Sequence, residues 1–473
     1  MTRFAPMIMA AAMLVSMAAA RVVAAGDAAE GSAEITQVQL ASKVDEIARA
    51  YANLGWFNGV VVLAKSGTPV FERAYGMANR EAGVPNSLQT RFNLGSIMKH
   101  FTAVLVLRQV EEGTLSLDDT LARFDLGFAD PRAAGITISQ LLHHRSGFPD
   151  IFTAAYRENQ LAFDTIEKRL ELLRTAPLMF DPGSDTRYSN YGYTVLGAVL
   201  QKVTGKRFEV LLHDKIFKPL SLTNSVYPYA AGHPDQSLRY SFNYAGEQAF
   251  VGVTEHHGPD GGIEATADDV LTFFRALFYS DRLLSRKGDA FKSYFGDARD
   301  HWASFGGGAG LSTAVELDFE SDYQIVVLAN TDNLVAELIS GRVLSVIREG
   351  SHAPITLPPH VYAYRQYQKL GPQAFSERFR DIYNEAGYGQ FIGRTLNELG
   401  MSLLADKEWD QALDVFRALE ATFPSAPQVY DSLAFAYSRM GQLEEAQAQF
   451  RKALAIKPDF RSDYSADSYG TEQ

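Results

Sequence analysis

The chain of 473 residues contains no cysteine. Disulfides, thiolate catalysis, cysteine-based metal sites and a lipoprotein anchor cysteine are therefore excluded. The formal net charge is −12 and no cluster of five or more basic residues occurs, so nucleic acid is not an expected partner. Beyond the N-terminus, no apolar run approaches the roughly 18 residues that a transmembrane helix needs. We therefore predict no membrane span in the mature chain.

The first residues have the pattern of an export signal. Arg3 supplies a short positive region, and residues 7–20 form an apolar stretch that is too short to span a bilayer comfortably. Val23 and Ala25 are small residues suited to a cleavage site after Ala25. We predict a signal peptide over residues 1–25 and an exported protein, periplasmic or extracellular. The alternative is an N-terminal membrane anchor.

The composition is that of an ordinary globular protein, with 46% hydrophobic and 21% charged residues. Helical spacing over residues 35–54 precedes two β-prone runs, 59–65 and 69–75, whose glycine-containing break predicts a hairpin. The composition of residues 350–359 is typical of a linker. We therefore place a first domain over residues 35–350.

The most informative stretch begins at Ser96. Lys99 follows three residues later, and the apolar run from 101 to 110 predicts a buried helix on which the two share a face. Desolvation favours the neutral form of a lysine, and a neutral amine can take a proton from a nearby hydroxyl. Ser96 is therefore a candidate nucleophile and Lys99 its candidate base. The alternative is a chance match of two common residues.

A second polar element follows the turn-rich residues 181–187. Tyr188 and Asn190 stand where this turn passes into a predicted helix, a place from which side chains can point into a cleft. A tyrosine hydroxyl near a lysine can relay a proton, and the alternative is a buried tyrosine with an asparagine cap. His144 lies beside a Ser-Gly turn, which favours a structural role over a catalytic one.

These motifs together resemble the serine β-lactamase-like hydrolases, a family of class C β-lactamases, D-Ala-D-Ala carboxypeptidases, D-aminopeptidases and related esterases. The order Ser96-Ile97-Met98-Lys99, Phe101-Thr102, Tyr188-Ser189-Asn190 carries the resemblance, which extends over roughly residues 38 to 348. Further similar stretches are 111–119, 141–147 and 261–269. The resemblance implies an α/β (α+β) fold in which helices flank an antiparallel sheet with strands from both ends of the domain. A mostly helical insertion would span about residues 110 to 250, with the active site between sheet and insertion.

The resemblance also implies residue roles. Ser96 would be acylated, Lys99 and Tyr188 would share the general base and acid work, and Asn190 would bind Lys99 or the substrate amide. Two main-chain N–H groups, those of Ser96 and Gly308, would form the oxyanion hole. We predict neither a metal nor a cofactor.

The third motif departs from the family. Residues 304–313 match a strand that carries Lys-Thr-Gly or His-x-Gly in the family, and Gly307 and Gly308 fit close backbone approach to a ligand. Phe305, however, aligns with the family's cation. His301 would replace that cation only if the strand register shifts. Substrates with a carboxylate would lose a charge-assisted hydrogen bond there, whereas a neutral ester would lose less.

We therefore predict an exported serine hydrolase that forms an acyl-enzyme at Ser96 on an ester or amide. The substrate would be a small molecule or a peptide. An esterase or peptidase ranks above a β-lactamase or a penicillin-binding D,D-peptidase. The alternative, motivated by Phe305, is a catalytically impaired hydrolase fold that acts as a binding or scaffold protein.

The C-terminal part repeats itself with an offset of 34 residues, which aligns Ala412 with Ala446, Phe416 with Phe450 and Pro424 with Pro458. Paired helices with this period resemble the tetratricopeptide repeat. We predict an all-α domain made of three parts: a linker and packing helix over 351–390, two repeats over 391–462, and a tail over 463–473. The repeats could bind a protein partner, and the alternative is a structural appendage.

Overall fold

The computed structural model describes residues 36–227, 235–252, 255–297, 299–462 and 464. The predicted signal peptide lies outside these residues. Contacts within the chain define two units, one of residues 36–241 and 250–355, the other of 242–249 and the residues from 356 onward. None of the helices in the described part of the chain is both long and apolar enough to span a bilayer.

The first unit is built on a five-stranded sheet in which every neighbouring pair is antiparallel. The strands of the chain are β1 (Gly59–Lys65), β2 (Thr68–Tyr75), β3 (Met77–Asn79), β4 (Val84–Pro85), β5 (Phe92–Asn93), β6 (Tyr240–Phe242), β7 (Gln248–Phe250), β8 (Glu264–Ala265), β9 (His301–Gly308), β10 (Leu311–Asp318) and β11 (Tyr323–Ala329). The main sheet has the order β2-β1-β11-β10-β9, while β3-β4, β5-β8 and β6-β7 form small ribbons. The sheet therefore joins strands from both ends of the unit, as predicted.

Helices surround this sheet. They are α1 (Gln37–Asn53), α2 (Met98–Glu111), α3 (Ile138–Leu142), α4 (Ala154–Glu158), α5 (Ile166–Glu171), α6 (Asn190–Thr204), α7 (Phe208–Leu212), α8 (Lys218–Leu220), α9 (Ala267–Phe278), α10 (Asp289–Phe295) and α11 (Val335–Glu349). A π-helical turn connects α7 to α8. The predicted helical insertion is confirmed by α3 to α8.

The two faces of the sheet bury different helices. One face carries Val60, Val315 and Val326 into the main core, which also contains the apolar side chains of α2 and α9. On the other face α11 packs against β10 and β11, and α1 packs against α11 and β2. Because both faces are covered, the interior strand β1 is an almost unbroken apolar run. The predicted fold class is thus confirmed.

The second unit is helical. Its helices are α12 (Pro359–Leu370), α13 (Pro372–Glu385), α14 (Ile392–Ala405), α15 (Trp409–Thr422), α16 (Pro427–Arg439) and α17 (Leu443–Ile456). The predicted packing helix is α13, and α12 adds a helix within the stretch predicted as a linker. Tyr244 also belongs to this unit, where its ring lies 4.8 Å from that of Tyr364. Residues 242–249, which lie within the predicted first domain, group with this second unit by their contacts.

Candidate active site

A tight turn positions Ser96 at the start of α2. Gly95, Ser96 and Ile97 form a 3₁₀ turn that leads directly into the helix. The main-chain N–H of Gly95 donates to Asn93 Oδ1 at 2.9 Å, and Gly95 has a positive φ of 52°. A Cβ on Gly95 would lie 3.1 Å from the main-chain nitrogen of Gly307. Glycine is therefore required here, and the Ser96 turn lies against the edge strand β9.

The structure brings together four residues singled out from the sequence. Lys99 Nζ lies 3.1 Å from Ser96 Oγ, and the Tyr188 hydroxyl lies 2.7 Å from the same oxygen. Lys99 Nζ also donates to Asn190 Oδ1 at 2.7 Å. These distances are within hydrogen-bond range. The candidate nucleophile is therefore in direct contact with both a candidate base and a candidate proton relay.

The other bonds of Lys99 orient its amine toward Ser96. Besides Asn190 Oδ1, the amine donates to the main-chain carbonyl of Asp260 at 2.5 Å. Neither of these oxygens carries a proton, so two N–H bonds of the lysine are committed to them. The remaining tetrahedral position points at Ser96 Oγ. In a neutral amine this position is the lone pair, which is the geometry that a base needs to accept the serine proton.

Asn190 is held in place by Asp150, a residue that the sequence analysis did not single out. The carboxylate of Asp150 accepts from the Asn190 main-chain N–H at 2.9 Å and from its side-chain amide nitrogen at 3.1 Å. The amide oxygen of Asn190 must then face Lys99. Burial raises the pKa of Asp150. Asp150 therefore fixes the amide orientation on which the Lys99 contact depends.

A buried ion pair supports the carbonyl of Asp260. Arg169 Nη1 lies 2.8 Å from Asp260 Oδ1, with side-chain exposures of 3% and 12%. Arg169 also donates to the main-chain oxygens of Phe163 and His256. On the other side of this loop, the Thr102 hydroxyl donates to the Pro259 carbonyl at 2.6 Å. The loop that accepts from Lys99 is therefore tied both to α2 and to the arginine.

His144 packs on Tyr188 and makes no hydrogen bond to Ser96 or Lys99 among those of the described residues. Its ring centroid lies 4.4 Å from that of Tyr188, and its Nδ1 accepts from the Ser189 main-chain N–H at 3.3 Å. Burial lowers the pKa of His144 to about 3. The His144 ring is therefore neutral at ordinary pH. It packs against the Tyr188 ring, in agreement with the structural role that the sequence favours.

The edge strand β9 presents Ser304 toward α2 and Phe305 toward the opposite face. Ser304 pairs with Val315, a member of the core that contains α2, whereas Phe305 pairs with Ala314. Directly opposite residues share a face and successive residues alternate. Phe305 therefore points to the other face and is 44% exposed. Neither Ser304 nor Phe305 carries a charge.

His301 does not replace the missing cation. It lies on the same face as Phe305, and its Nε2 is 3.0 Å from Glu316 Oε2. The residue that contacts Ser304 is His100, whose Nε2 is 2.6 Å from Ser304 Oγ. Trp302 packs edge-on against His100 with a centroid distance of 5.1 Å. Burial lowers the pKa of His100 to about 3, so it supplies no positive charge either.

The glycines of β9 allow a close approach to the Ser96 turn. A Cβ on Gly306 would clash with the carbonyl oxygen of Leu94, and the Thr313 hydroxyl donates to that same oxygen at 3.0 Å. The neighbouring Gly307 lies against Gly95, while a Cβ on Gly308 would contact only the side chain of Leu311. Of the two predicted glycines, Gly307 is the one beside the Ser96 turn.

A buried carboxyl group lies next to this turn. Glu264 on β8 pairs with Asn93 on β5, and it accepts a hydrogen bond from Gln236 at 2.7 Å. Burial raises the pKa of Glu264 to about 7. This group was not singled out from the sequence, in which an isolated glutamate after Gly-Gly-Ile gives no sign of burial.

The fold and the arrangement of Ser96, Lys99 and Tyr188 are those expected of the serine β-lactamase-type hydrolase family. The chain belongs to the beta-lactamase family, whose model matches residues 44–344, and a tetratricopeptide repeat model matches residues 403–466. Among curated relatives, it is 26% identical to penicillin-binding protein 4* of Bacillus subtilis (strain 168) over 48% of this chain and 53% of that protein. It is 32% identical to esterase EstB of Burkholderia gladioli over 37% of this chain and 51% of that protein. The chain thus spans about half the length of the curated relatives that it matches.

Solved structures show the same fold. A penicillin-binding protein from Bacillus halodurans superposes with a TM-score of 0.55 at 23% identity, over 63% of this chain and 98% of that chain. EstCE1, described as a hydrolase with promiscuous acyltransferase activity, gives a TM-score of 0.55 at 24% identity, over 66% of this chain and 98% of that chain. These relationships place the chain among β-lactamase-fold hydrolases that include peptidases and esterases.

Proposed function

We propose that this protein is an exported serine hydrolase that forms an acyl-enzyme at Ser96. The observation that carries the proposal is the contact of one serine oxygen with both the Lys99 amine, at 3.1 Å, and the Tyr188 hydroxyl, at 2.7 Å. A hydroxyl with two groups that can exchange its proton is an activated nucleophile.

The reaction follows from these contacts. Ser96 Oγ attacks the substrate carbonyl while its proton passes to Lys99, directly or through Tyr188. The tetrahedral intermediate carries its negative charge between the main-chain N–H groups of Ser96 and Gly307. The leaving alcohol or amine departs with a proton from Tyr188, which Lys99 restores. Water then releases the acyl group from Ser96 by the same proton path.

The preferred substrates are neutral esters or amides. Phe305 stands where the related family carries a cation, and its neighbour Ser304 is buried and bonded to the neutral ring of His100. A substrate carboxylate therefore lacks a charge-assisted hydrogen bond at this position. A short p-nitrophenyl ester should give a kcat/KM about 10- to 150-fold above those for nitrocefin and a D-Ala-D-Ala peptide, since such a bond is worth roughly 1.5–3 kcal/mol. Enzyme-like nitrocefin hydrolysis would contradict this ranking.

Active-site labelling tests the central step. A fluorophosphonate probe should add one mass equivalent to the wild-type protein, on the peptide that contains Ser96. The variant Ser96→Ala should remain unlabelled, while Ser285→Ala, which removes an exposed hydroxyl, should be labelled as the wild type is. Equal labelling of Ser96→Ala would exclude the proposed nucleophile. A wild-type protein that neither reacts with the probe nor turns over esters would favour the inactive binding protein instead.

Export is the remaining part of the proposal. It is supported by the apolar N-terminal segment and by relatives whose names describe penicillin-binding proteins and D-alanyl-D-alanine carboxypeptidases. N-terminal sequencing of the protein recovered from a periplasmic fraction should begin at Gly26. An uncleaved N-terminus in a membrane fraction would support the anchor instead.

A further inference from the structure

A side-chain hydrogen bond joins the edge strand β9 to the helix α2. Nε2 of His100 lies 2.6 Å from the hydroxyl oxygen of Ser304, which is 8% exposed. His100 follows Lys99 directly and lies about one helical turn after Ser96. Among the described residues, no other hydrogen bond connects β9 with α2. The pair therefore provides the polar contact between these two elements.

Aromatic packing fixes the orientation of the His100 ring. Four rings surround it with centroid distances between 5.1 and 6.0 Å, those of Trp302, Tyr294, Phe274 and Phe295. Distances of this size are those of packed aromatic pairs. The imidazole is thus enclosed on several sides, and its orientation toward Ser304 is maintained by these contacts.

The position of the ring proton follows from the surroundings of Nδ1. This nitrogen of His100 is buried and has no hydrogen-bond partner among the described residues. Burial lowers the pKa of His100 to about 3, so the ring is neutral and carries a single N–H. Buried N–H groups without an acceptor are rarer in proteins than buried acceptors without a donor, which assigns the proton to Nε2. His100 therefore donates to the Ser304 oxygen.

Strand β9 depends on this contact more than an interior strand would. In the main sheet it pairs with β10 on one side, and no described strand pairs with its other edge. Its distance from α2 is therefore set by the side of β9 that faces the helix. The contacts on that side are the His100–Ser304 bond, the packing of Trp302 on His100, and the close approach of Gly306 to the Leu94 carbonyl.

The distance between β9 and α2 matters because each element carries one of the two N–H groups of the proposed oxyanion hole. Ser96 lies in the turn that leads into α2, and Gly307 lies on β9 three residues after Ser304. Such donors stabilise the developing charge when they lie about 2.7–3.1 Å from the oxyanion. A small outward movement of β9 would therefore lengthen one of the two hydrogen bonds to the oxyanion.

We propose that His100 is a positioning residue whose hydrogen bond to Ser304 holds β9 at the distance from α2 at which the oxyanion hole forms. This role rests on the proposed hydrolase function and adds to it the group that sets the geometry of the hole. Neither residue exchanges a proton with the substrate, because the pair acts through the position of β9. Its contribution is therefore made in the transition state, where the oxyanion develops, and not in the binding of a neutral ester.

Two substitutions of His100 separate the hydrogen bond from the packing. His100→Phe keeps a ring among the aromatic neighbours but removes the donor, whereas the amide of His100→Gln can donate from about the place of Nε2. For an ester, kcat should fall about 10- to 100-fold in His100→Phe with KM nearly unchanged, since a displaced oxyanion donor costs less than a missing one, which costs about 10²- to 10³-fold. His100→Gln should stay within about threefold of the wild type. His213→Phe, the same change at an exposed position, should behave as the wild type does.

A thionoester tests the oxyanion hole itself. Sulfur accepts weaker hydrogen bonds than oxygen, so a thionoester gains less from the two N–H groups than the matched ester does. The ratio of kcat/KM for the ester to that for its thionoester should therefore fall about tenfold in His100→Phe and keep its wild-type value in His100→Gln. Damage that is only structural lowers both rates alike and leaves this ratio unchanged.

Ser304→Ala tests the same bond from the other side. The variant removes one oxygen atom and should reproduce the rates and the ratio of His100→Phe, so it also serves where His100→Phe does not fold. The double variant His100→Phe/Ser304→Ala should lose no more activity than either single variant, because both changes remove one interaction.

Three results would overturn the proposed role of His100. A wild-type ester-to-thionoester ratio in both His100→Phe and Ser304→Ala would mean that the pair does not set the oxyanion hole. Equal losses in His100→Gln and His100→Phe would mean that the donor is not what matters. Additive losses in the double variant would mean that the two residues do not act through one bond. Failure of the hydrolase function itself is distinct, because the wild type would then hydrolyse neither substrate and Ser96 would remain unlabelled by the fluorophosphonate; both proposals would then fall.

Discussion

Asp150 accepts hydrogen bonds from both the main-chain N–H and the side-chain amide of Asn190, at 2.9 and 3.1 Å. These two hydrogen bonds leave only the amide oxygen of Asn190 to face Lys99. The Lys99 amine therefore donates one N–H to this oxygen, and its remaining tetrahedral position can point at Ser96 Oγ. Asp150 does not touch the nucleophile, and any influence on the reaction passes through Asn190.

Asp150 is therefore expected to act as a positioning residue. Asp150→Ala frees the Asn190 amide to turn its nitrogen toward Lys99, and we expect kcat/KM to fall about 10- to 100-fold, since a lost buried hydrogen bond costs roughly 1–3 kcal/mol. Asp150→Asn keeps one acceptor and should recover part of this loss. Asp185→Ala, at an exposed position, serves as control. An ester hydrolysis rate unchanged in Asp150→Ala would show that the Asn190 orientation is fixed by other contacts.

Tyr188→Phe removes one hydroxyl and leaves the ring packed on His144. Because that hydroxyl lies 2.7 Å from Ser96 Oγ, we expect kcat/KM for an ester to fall by about 10²- to 10⁴-fold, the usual contribution of a positioned proton donor or acceptor. Thermal unfolding should be nearly unchanged. Tyr227→Phe, a tyrosine outside these contacts, is the matched control. A Tyr188→Phe enzyme with wild-type kcat/KM would exclude the tyrosine from proton transfer.

Much of this site follows from local sequence. The helical run after Ser96 and the turn before Tyr188 are signals read over short windows, and they correctly lead to four residues that the structure brings together. The strands of the sheet are also predicted from local sequence, because strands such as β1 are short apolar runs bounded by turns.

The third motif shows where local sequence is insufficient. Ser304 and Phe305 precede three consecutive glycines, and a run without alternating side chains does not reveal which face a given residue takes. A shift by one residue moves every side chain to the other face, so the sequence does not decide whether Ser304 or Phe305 points toward α2. Pairing with β10 resolves the register, because Val315, opposite Ser304, belongs to the core that contains α2.

The contacts that hold the site residues in place were not predicted from the sequence, and the reason is different. Asp150 and Asn190 lie 40 residues apart, and Arg169 and Asp260 lie 91 apart. Such pairs carry no periodicity or spacing of their own, so that only the folded chain shows them. The same holds for residues 242–249, which belong to the repeat unit without any change in composition to mark them.

The buried pair of Arg169 and Asp260 is expected to be essential for stability. Arg169→Met leaves an uncompensated buried carboxylate and should lower the free energy of unfolding by about 3–5 kcal/mol. The double variant Arg169→Met/Asp260→Asn should lose less than the sum of its single variants, because both remove the same interaction. Arg174→Met, which breaks a more exposed pair with Glu171, should cost at most about 1 kcal/mol. Urea unfolding of the wild type, the two single variants, the double variant and Arg174→Met measures these differences, and strict additivity in the cycle would contradict a direct coupling.

Glu264 makes stability depend on pH. Its folded pKa of about 7 lies above the ordinary value of 4.5, so the folded state binds the proton more tightly than the unfolded chain does. The stability that this provides is complete below pH 4.5 and is lost as the pH rises toward 7. The loss amounts to at most about 3 kcal/mol, at 1.36 kcal/mol for each pKa unit.

Glu264→Gln should remove this dependence, because the amide stays neutral and its oxygen can still accept from Gln236. We expect the variant to be more stable than the wild type at pH 8, by about 1–3 kcal/mol, and to show a smaller difference at pH 5. Urea unfolding at both pH values measures this. Glu158→Gln, which changes an exposed carboxylate, should leave the pH profile as in the wild type. A Glu264→Gln protein that is less stable than the wild type at pH 8 would mean that the folded state favours the charged carboxylate and that its pKa is not raised.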